Sequence, residues 1–500
     1  MSSNFPRTAL FFGAVFVVVG VVLGGILVLL DLGLIGGAVA LLGLGPLFWA
    51  IDHKLNPALL AGTASYAYFF HFLGYVVGPL GGHYFSMDEQ RFSALGMGYS
   101  QWGAVLGLLT FAMIYPFAFR ISERIARPAT GTELEPGDFR WTMYTALLGI
   151  TALVVLVYGH FNNTFRRLGD FESPTTEAQT VAGAFAAVQQ VVFFFLALIA
   201  AWHRRRPYVL LWLGAILAYG AYTILEGTRG LSITAVFVSG FGFAIGGISR
   251  RRVLLAFVCA FVGFMPLVGI VNHYRTTPTY ASRYDEGFVA RTEAFYSAAA
   301  DFQSADRADT PSALDVWYTA ITAATVDRIM EDTPDRVPFA GFRDLDRIAY
   351  VWTPKVLDPD RPSLSDGNSI AIEYGVGHDG IKSWSYTPTV GEGYRRFGWI
   401  GIPLVYGLVG VVFGALAGGS WARRRQREWA AFVVFLFLQA PSVWSSTLLS
   451  LAHFALWECP KTFLFFYALR RLQDFITGLR RREFSTAWVN PPQLHGSQTD

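Results

Sequence analysis

Val390-Gly391-Glu392-Gly393-Tyr394-Arg395-Arg396 closes the longest polar stretch of the chain. It runs directly into an apolar segment over 397–419, which is followed by Arg423-Arg424-Arg425. About twenty consecutive apolar residues are enough to cross roughly 30 Å of hydrocarbon. A segment in lipid must satisfy its own backbone, so the run reads as a helix. Barrel strands would show short alternating segments, and this run does not alternate.

Working outward, apolar runs of this kind recur along the 500 residues, of which 53% are hydrophobic, 16% aromatic and only 15% charged. That composition excludes a soluble globular chain. Spans are predicted near 9–30, 33–51, 59–80, 99–119, 141–159, 180–202, 208–225, 231–248, 253–272, 397–419, 429–446 and 450–469. The first run, Leu10 to Leu30, is longer than a signal-peptide core and lacks a small-residue cleavage site, so it reads as a retained helix. The expected fold is all-α, a polytopic transmembrane helical bundle of about twelve spans with one large loop. Its divisions are 1–272 (spans one to nine), 273–396 (the loop), 397–470 (spans ten to twelve) and 471–500 (a tail, without regular structure after Glu483).

Charge sets the orientation. With the N-terminus cytoplasmic, alternate turns carry Lys54, then Arg120, Arg124 and Arg127, then Arg204-Arg205-Arg206, Arg250-Arg251-Arg252 and Arg423-Arg424-Arg425. The tail, with Arg470, Arg471 and Arg480-Arg481-Arg482, falls on that side too. All the basic triplets share one face, which the positive-inside rule makes cytoplasmic, with both termini there. The opposite face receives 81–98, 160–179, the turn Glu226-Gly227-Thr228-Arg229-Gly230 and the loop 273–396. That loop holds 19 Asp and Glu against 13 Lys and Arg, so it is acidic while the remainder is basic. Such short basic clusters between apolar runs mark cytoplasmic loops, and not a nucleic-acid binder.

Within the loop, Asp309-Thr310-Pro311 predicts a helix start, and Leu314, Trp317, Tyr318, Ile321 and Ile329 recur at helical spacing to about Met330. Residues 334–368, rich in Pro, Asp and Gly, read as structured loop. Arg229 stands beside Glu226 in a five-residue turn at the membrane–water boundary. It is either a snorkelling or ion-paired arginine, or one aimed into a headgroup-level cavity where a phosphate would be its partner. His273 and Arg275 leave the ninth span at the same depth, and Arg343, Arg347, Lys355, Arg361 and Arg395-Arg396 follow. Arginines kept where an acidic loop meets the membrane suit a phosphorylated lipid. Two cysteines, Cys259 and Cys459, give neither a disulfide framework nor a metal site, and no metal-ligand cluster or cofactor motif is visible.

Three stretches resemble a known family. Thr353-Pro354-Lys355-Val356-Leu357-Asp358-Pro359-Asp360-Arg361-Pro362 resembles the P-R-x-x-x-P-x-K-P segment of bacterial O-antigen and exopolysaccharide repeat-unit polymerases of the Wzy type. Thr387-Pro388-Thr389 through Gly401 resembles that family's stretch before its next helix, and Glu226 to Gly230 its G-S-R-G turn. The likeness covers roughly 220–420. It departs where the family's Arg is Lys355 and its Lys is Arg361; lysine offers no bidentate fork to a phosphate.

The resemblance implies a GT-C-like bundle in the bacterial inner membrane that joins oligosaccharide units carried on undecaprenyl pyrophosphate, without a metal or other cofactor. A sugar hydroxyl attacks an anomeric carbon and the lipid pyrophosphate leaves. Fixed cations stabilise the charge that develops on it. Arg229 is then catalytic, with Arg275, Arg347, Lys355, Arg361, Arg395 and Arg396 binding pyrophosphate. Glu392 is the first choice of general base, followed by His273 and His378. Membrane lipids, a chain-length regulator and a flippase are the implied neighbours. An O-antigen ligase would use the same donor for a single transfer. A lipid-linked glycan transporter or flippase would want ionisable residues at mid-membrane depth. Here His71 and Gln189-Gln190 are the exceptions to apolar spans, and read as helix–helix contacts.

Overall fold

Every regular element among the described residues is helical, and no strand occurs among them. The structure, a computed structural model, describes residues 33–55, 63–72, 97–126, 139–161, 186–226, 229–249, 288–304, 319–353, 367–375 and 388–489. It also describes residues 22, 74–75, 252–253, 255–256, 259–260, 270–271, 273–274, 358 and 362. Most of the first predicted span and much of the ninth lie outside them, as do Asp309, Arg275, Lys355, Arg361 and His378.

The main helices are α1 (Gly33–Leu55), α2 (Thr63–Phe72), α3 (Met97–Ile125), α4 (Phe139–Phe161), α5 (Ala186–His203), α6 (Arg206–Leu225) and α7 (Arg229–Ile245). The loop supplies α8 (Phe288–Ser304) and α9 (Thr319–Asp332). Then come α10 (Thr389–Phe397), α11 (Gly401–Ala422), α12 (Arg427–Leu438) and α13 (Cys459–Val489). Four stretches, Tyr99–Ile125, Phe139–Tyr158, Arg206–Leu225 and Thr389–Ala422, are long and apolar enough to cross a membrane. The chain is a helical membrane protein.

Small residues set the packing. Gly407, Gly410, Gly414 and Gly418 form one stripe of α11, and a Cβ on Gly414 would come within 2.6 Å of the Tyr115 carbonyl oxygen. Backbone can therefore approach backbone, as small-residue interfaces in membranes allow. The two helices run parallel: Tyr99 meets Trp399 at one end, while Ser122 donates to the Ala415 carbonyl at 2.7 Å near the other. α1 is parallel to α3, with Phe48 stacked on Phe111. α2 returns beside α1. Buried Asp52 accepts the Ala64 N–H at 2.8 Å and that of Ser65, satisfying donors at the start of α2.

A second set packs α5 parallel to α7, with Gly242 against Phe194 and Gly246 against Ala201. α6 runs back alongside both, its Trp212 donating to Ser239 at 3.0 Å. α4 lies antiparallel to both α5 and α13, and α13 antiparallel to α12. Followed through these contacts, α1, α3, α5, α7 and α11 all start at one end of the bundle. The isolated polar residues are interhelical contacts, as expected: His71 Nε2 lies 2.7 Å from the Tyr406 hydroxyl, and Tyr219 donates to Gln189 at 3.4 Å.

Two predicted elements differ. The apolar run 429–446 is helical only to Leu438, about 18 Å at 1.5 Å per residue, too short to span. Pro441 follows, lacking an N–H, and the chain from Gln439 to Thr447 makes turns and one short helix, Ser442–Ser445. Irregular backbone is tolerated at membrane depth only where protein surrounds it, and here it receives α10. At the other terminus, α13 continues through Val489, past the Glu483 limit expected from composition. The loop helix is present as α9, burying Val326, Ile329 and Met330, and Leu345–Trp352 adds a 3-10 helix to the segment read as structured loop.

Candidate functional site

The Gly-rich motif before α11 builds a folded corner. α10 ends at Gly398, whose φ of 62° favours glycine, and one 3-10 turn leads into α11. A Cβ on Gly393 would lie 2.6 Å from Ile402 Cα, and one on Gly401 would run into the Gly393 carbonyl. The two helices thus meet backbone to backbone, and α10 lies folded against the start of α11.

Residues three and four apart share a helical face, so the corner brings Glu392, Arg395 and Arg396 together. Arg396 Nε donates to Glu392 Oε1 at 2.5 Å and Arg395 Nη2 to Oε2 at 3.0 Å. All three are buried. The irregular 439–447 segment and the helix start that follows it close the group: Leu448 N–H reaches Glu392 Oε1 at 3.2 Å, while Thr389 donates to the Val443 carbonyl at 2.7 Å and accepts from Ser446 N–H at 2.9 Å. The loop closes the other side. Arg396 Nη1 donates to the Gly341 and Arg343 carbonyls at 2.8 and 2.9 Å, and the Ala340 and Gly341 N–H groups return bonds to the Arg395 and Arg396 carbonyls. Arg395 Nη1 also lies 3.6 Å from Glu373, which pairs with Arg343.

Two guanidiniums around one carboxylate leave the buried group with a local positive excess, and Arg395 Nε and Arg396 Nη2 make no hydrogen bond. Glu392 is here the enclosed counter-ion of the pair, with no face open to a sugar hydroxyl. Of the loop cations predicted to meet phosphate, Arg343 and Arg347 reach solvent among the described residues, the latter 3.0 Å from Asp344. Pairs at such exposure are worth about 0–1 kcal/mol and exchange readily for another anion.

A second group forms at the 226–230 turn. Glu226 pairs with Arg291 of α8 at 2.5 Å, both side chains buried, where sequence suggested Arg229 as its neighbour. Tyr274 donates toward the Leu225 and Arg291 carbonyls at 3.4 and 3.5 Å, and the His273 ring lies 5.9 Å from Phe302 of α8. Arg229 is the first residue of α7; its side chain lies outside the described residues. Because α7 and α11 start at the same end, Arg229 and Glu392 belong to one face of the protein. The buried face Arg291, Ala294, Ala298 of α8 stands at helical spacing, and neither that helix nor the partner of Arg291 was predicted from sequence.

A third feature escaped sequence reading altogether. Asp327 of α9 accepts the Ser100 N–H at the start of α3 at 3.3 Å, and its Oδ2 is buried without a hydrogen bond. Burial pushes its carboxyl up to about 8. Among the described residues no three His, Cys, Asp or Glu side chains converge to hold a metal ion. Comparison of the chain with protein-family models, with curated proteins and with solved structures finds no match.

Proposed function

We propose that the protein polymerises undecaprenyl-pyrophosphate-linked oligosaccharide units by glycosyl transfer at the periplasmic face of the bacterial inner membrane. The observation that carries this reading is the buried Glu392–Arg395–Arg396 group at the head of an apolar helix, locked to a loop that exposes Arg343 and Arg347. About 33 Å of α11 separates this corner from the Arg423-Arg424-Arg425 cluster, which fits headgroup-level cations on one side and cytoplasmic ones on the other. The shared direction of α1, α3, α5, α7 and α11 supports a bundle with a cytoplasmic N-terminus.

In the reaction an acceptor hydroxyl forms a C–O bond to the anomeric carbon, and the bond from that carbon to the pyrophosphate oxygen breaks with its electron pair. Arg343, Arg347 and Arg229, with Arg275, Lys355 and Arg361, stabilise the charge on the leaving pyrophosphate. Arg395 and Arg396 act as positioning residues through the 340–343 backbone, and Glu392 as their counter-ion. His273, only partly buried, is then the first choice of base. Chemical analysis of lipid-linked saccharides and surface polymer in a deletion strain tests the reading. Loss of a size ladder with single units left on lipid supports it. A retained ladder on lipid, missing only from the final acceptor, points to a ligase, and units trapped on the cytoplasmic side point to a flippase.

A further inference from the structure

The loop carries an apolar surface that the polymerase reading does not use. Phe342 is 78% exposed although its ring packs on Phe397 at 5.2 Å, and Ile400, three residues after Phe397, is 72% exposed. Leu404, Leu408 and Val411 continue the line, 54%, 50% and 48% exposed, at helical spacing along α11. On a helix long and apolar enough to cross a membrane, that stripe is the face lipid covers. The loop surface therefore joins this lipid-facing stripe through the Phe342–Phe397 contact and the exposed residues Trp399 and Ile400. Trp399 lies where the two meet, 5.8 Å from Tyr394, as aromatic residues do at membrane–water boundaries. Arg336 and Arg343, 60% and 49% exposed, stand on the same loop segment, where lipid phosphates would meet them.

We infer that the loop segment around Phe342 lies in the membrane interface, its apolar side in the acyl boundary of the lipid leaflet beside α11. An exposed apolar patch of this kind marks a contact surface, and its continuity with α11 identifies the bilayer as the partner. The loop is then anchored to lipid at the level of the Arg396 clamp, and does not stand free above the membrane. This inference does not depend on the polymerase reaction.

The test is nitroxide accessibility in the full chain, reconstituted in nanodiscs of mixed zwitterionic and anionic lipid. Cys259 and Cys459 are replaced by alanine, and single cysteines are introduced by Phe342→Cys, Leu404→Cys as lipid reference and Ser369→Cys as water reference. Oxygen concentrates in lipid and a charged nickel chelate in water. The Phe342 label should show an oxygen-to-nickel ratio several-fold above that at Ser369 and approaching that at Leu404. A ratio matching Ser369 overturns the inference. So does shielding from both reagents, which would mean that a second copy or another segment of this chain covers the patch. If Phe342→Cys lowers yield, Ile400→Cys reports on the same surface.

Discussion

Glu392 and Arg396, one helical turn apart, form a fully buried ion pair at 2.5 Å, and the same arginine grips two carbonyls of the loop. One bond network therefore joins α10, the loop at 340–343 and the break after α12. Removing one partner of a buried pair leaves an uncompensated charge, at a cost of about 3–5 kcal/mol. Glu392→Gln should lower thermal stability in detergent markedly and reduce accumulated protein. A variant that melts like the parent yet loses turnover would restore Glu392 as the base.

The corner between α10 and α11 rests on backbone contact. Gly393→Ala and Gly401→Ala each place a methyl against main chain that has no flexible end to move, so both should lose folded yield. Gly149→Ala meets nothing within 4 Å and should accumulate normally, giving the control by size-exclusion profile.

Arg291 fixes the turn that precedes Arg229. Arg291→Ala leaves Glu226 buried without its cation and should destabilise by a similar 3–5 kcal/mol, with Arg291→Lys milder. Arg229→Ala, in contrast, should leave protein level unchanged and abolish polymer. Normal polymer length in that variant contradicts the role assigned to Arg229.

Asp327 makes stability depend on pH. Its carboxyl, ordinarily near 3.8, is pushed up to about 8 in the folded chain. Between those values the folded protein keeps a proton that the unfolded chain releases, so this group makes stability fall as pH rises through the window. Asp327→Asn should raise the Tm at pH 8 and leave it nearly unchanged at about pH 4. A gain confined to acid would contradict the assignment.

What could be read from sequence was what depends on local composition. The apolar helices α1, α3, α4, α5, α6, α7 and α11 follow from hydropathy, four of them (α3, α4, α6 and α11) long and apolar enough to cross a membrane, and α9 follows from the spacing of Ile321 and Ile329. The break after Leu438 was hidden because Phe435, Leu436, Phe437 and Val443 keep the run apolar while Pro441 ends the helix. Glu392, Arg395 and Arg396 stood at i, i+3 and i+4, so their shared face was available. Their burial was not, since it comes from segments some fifty residues away on either side. Arg291 and Asp327 carry no motif; each owes its environment to a partner more than sixty residues distant.

The most direct measurement is the product size distribution from purified protein reconstituted with undecaprenyl-pyrophosphate-linked oligosaccharide. The account predicts a ladder of lengthening lipid-linked glycans with release of undecaprenyl pyrophosphate, lost in Arg229→Ala and weakened when Arg343 and Arg347 are both changed to alanine. Unextended oligosaccharide after incubation with the folded parent protein, and no released undecaprenyl pyrophosphate, would contradict it.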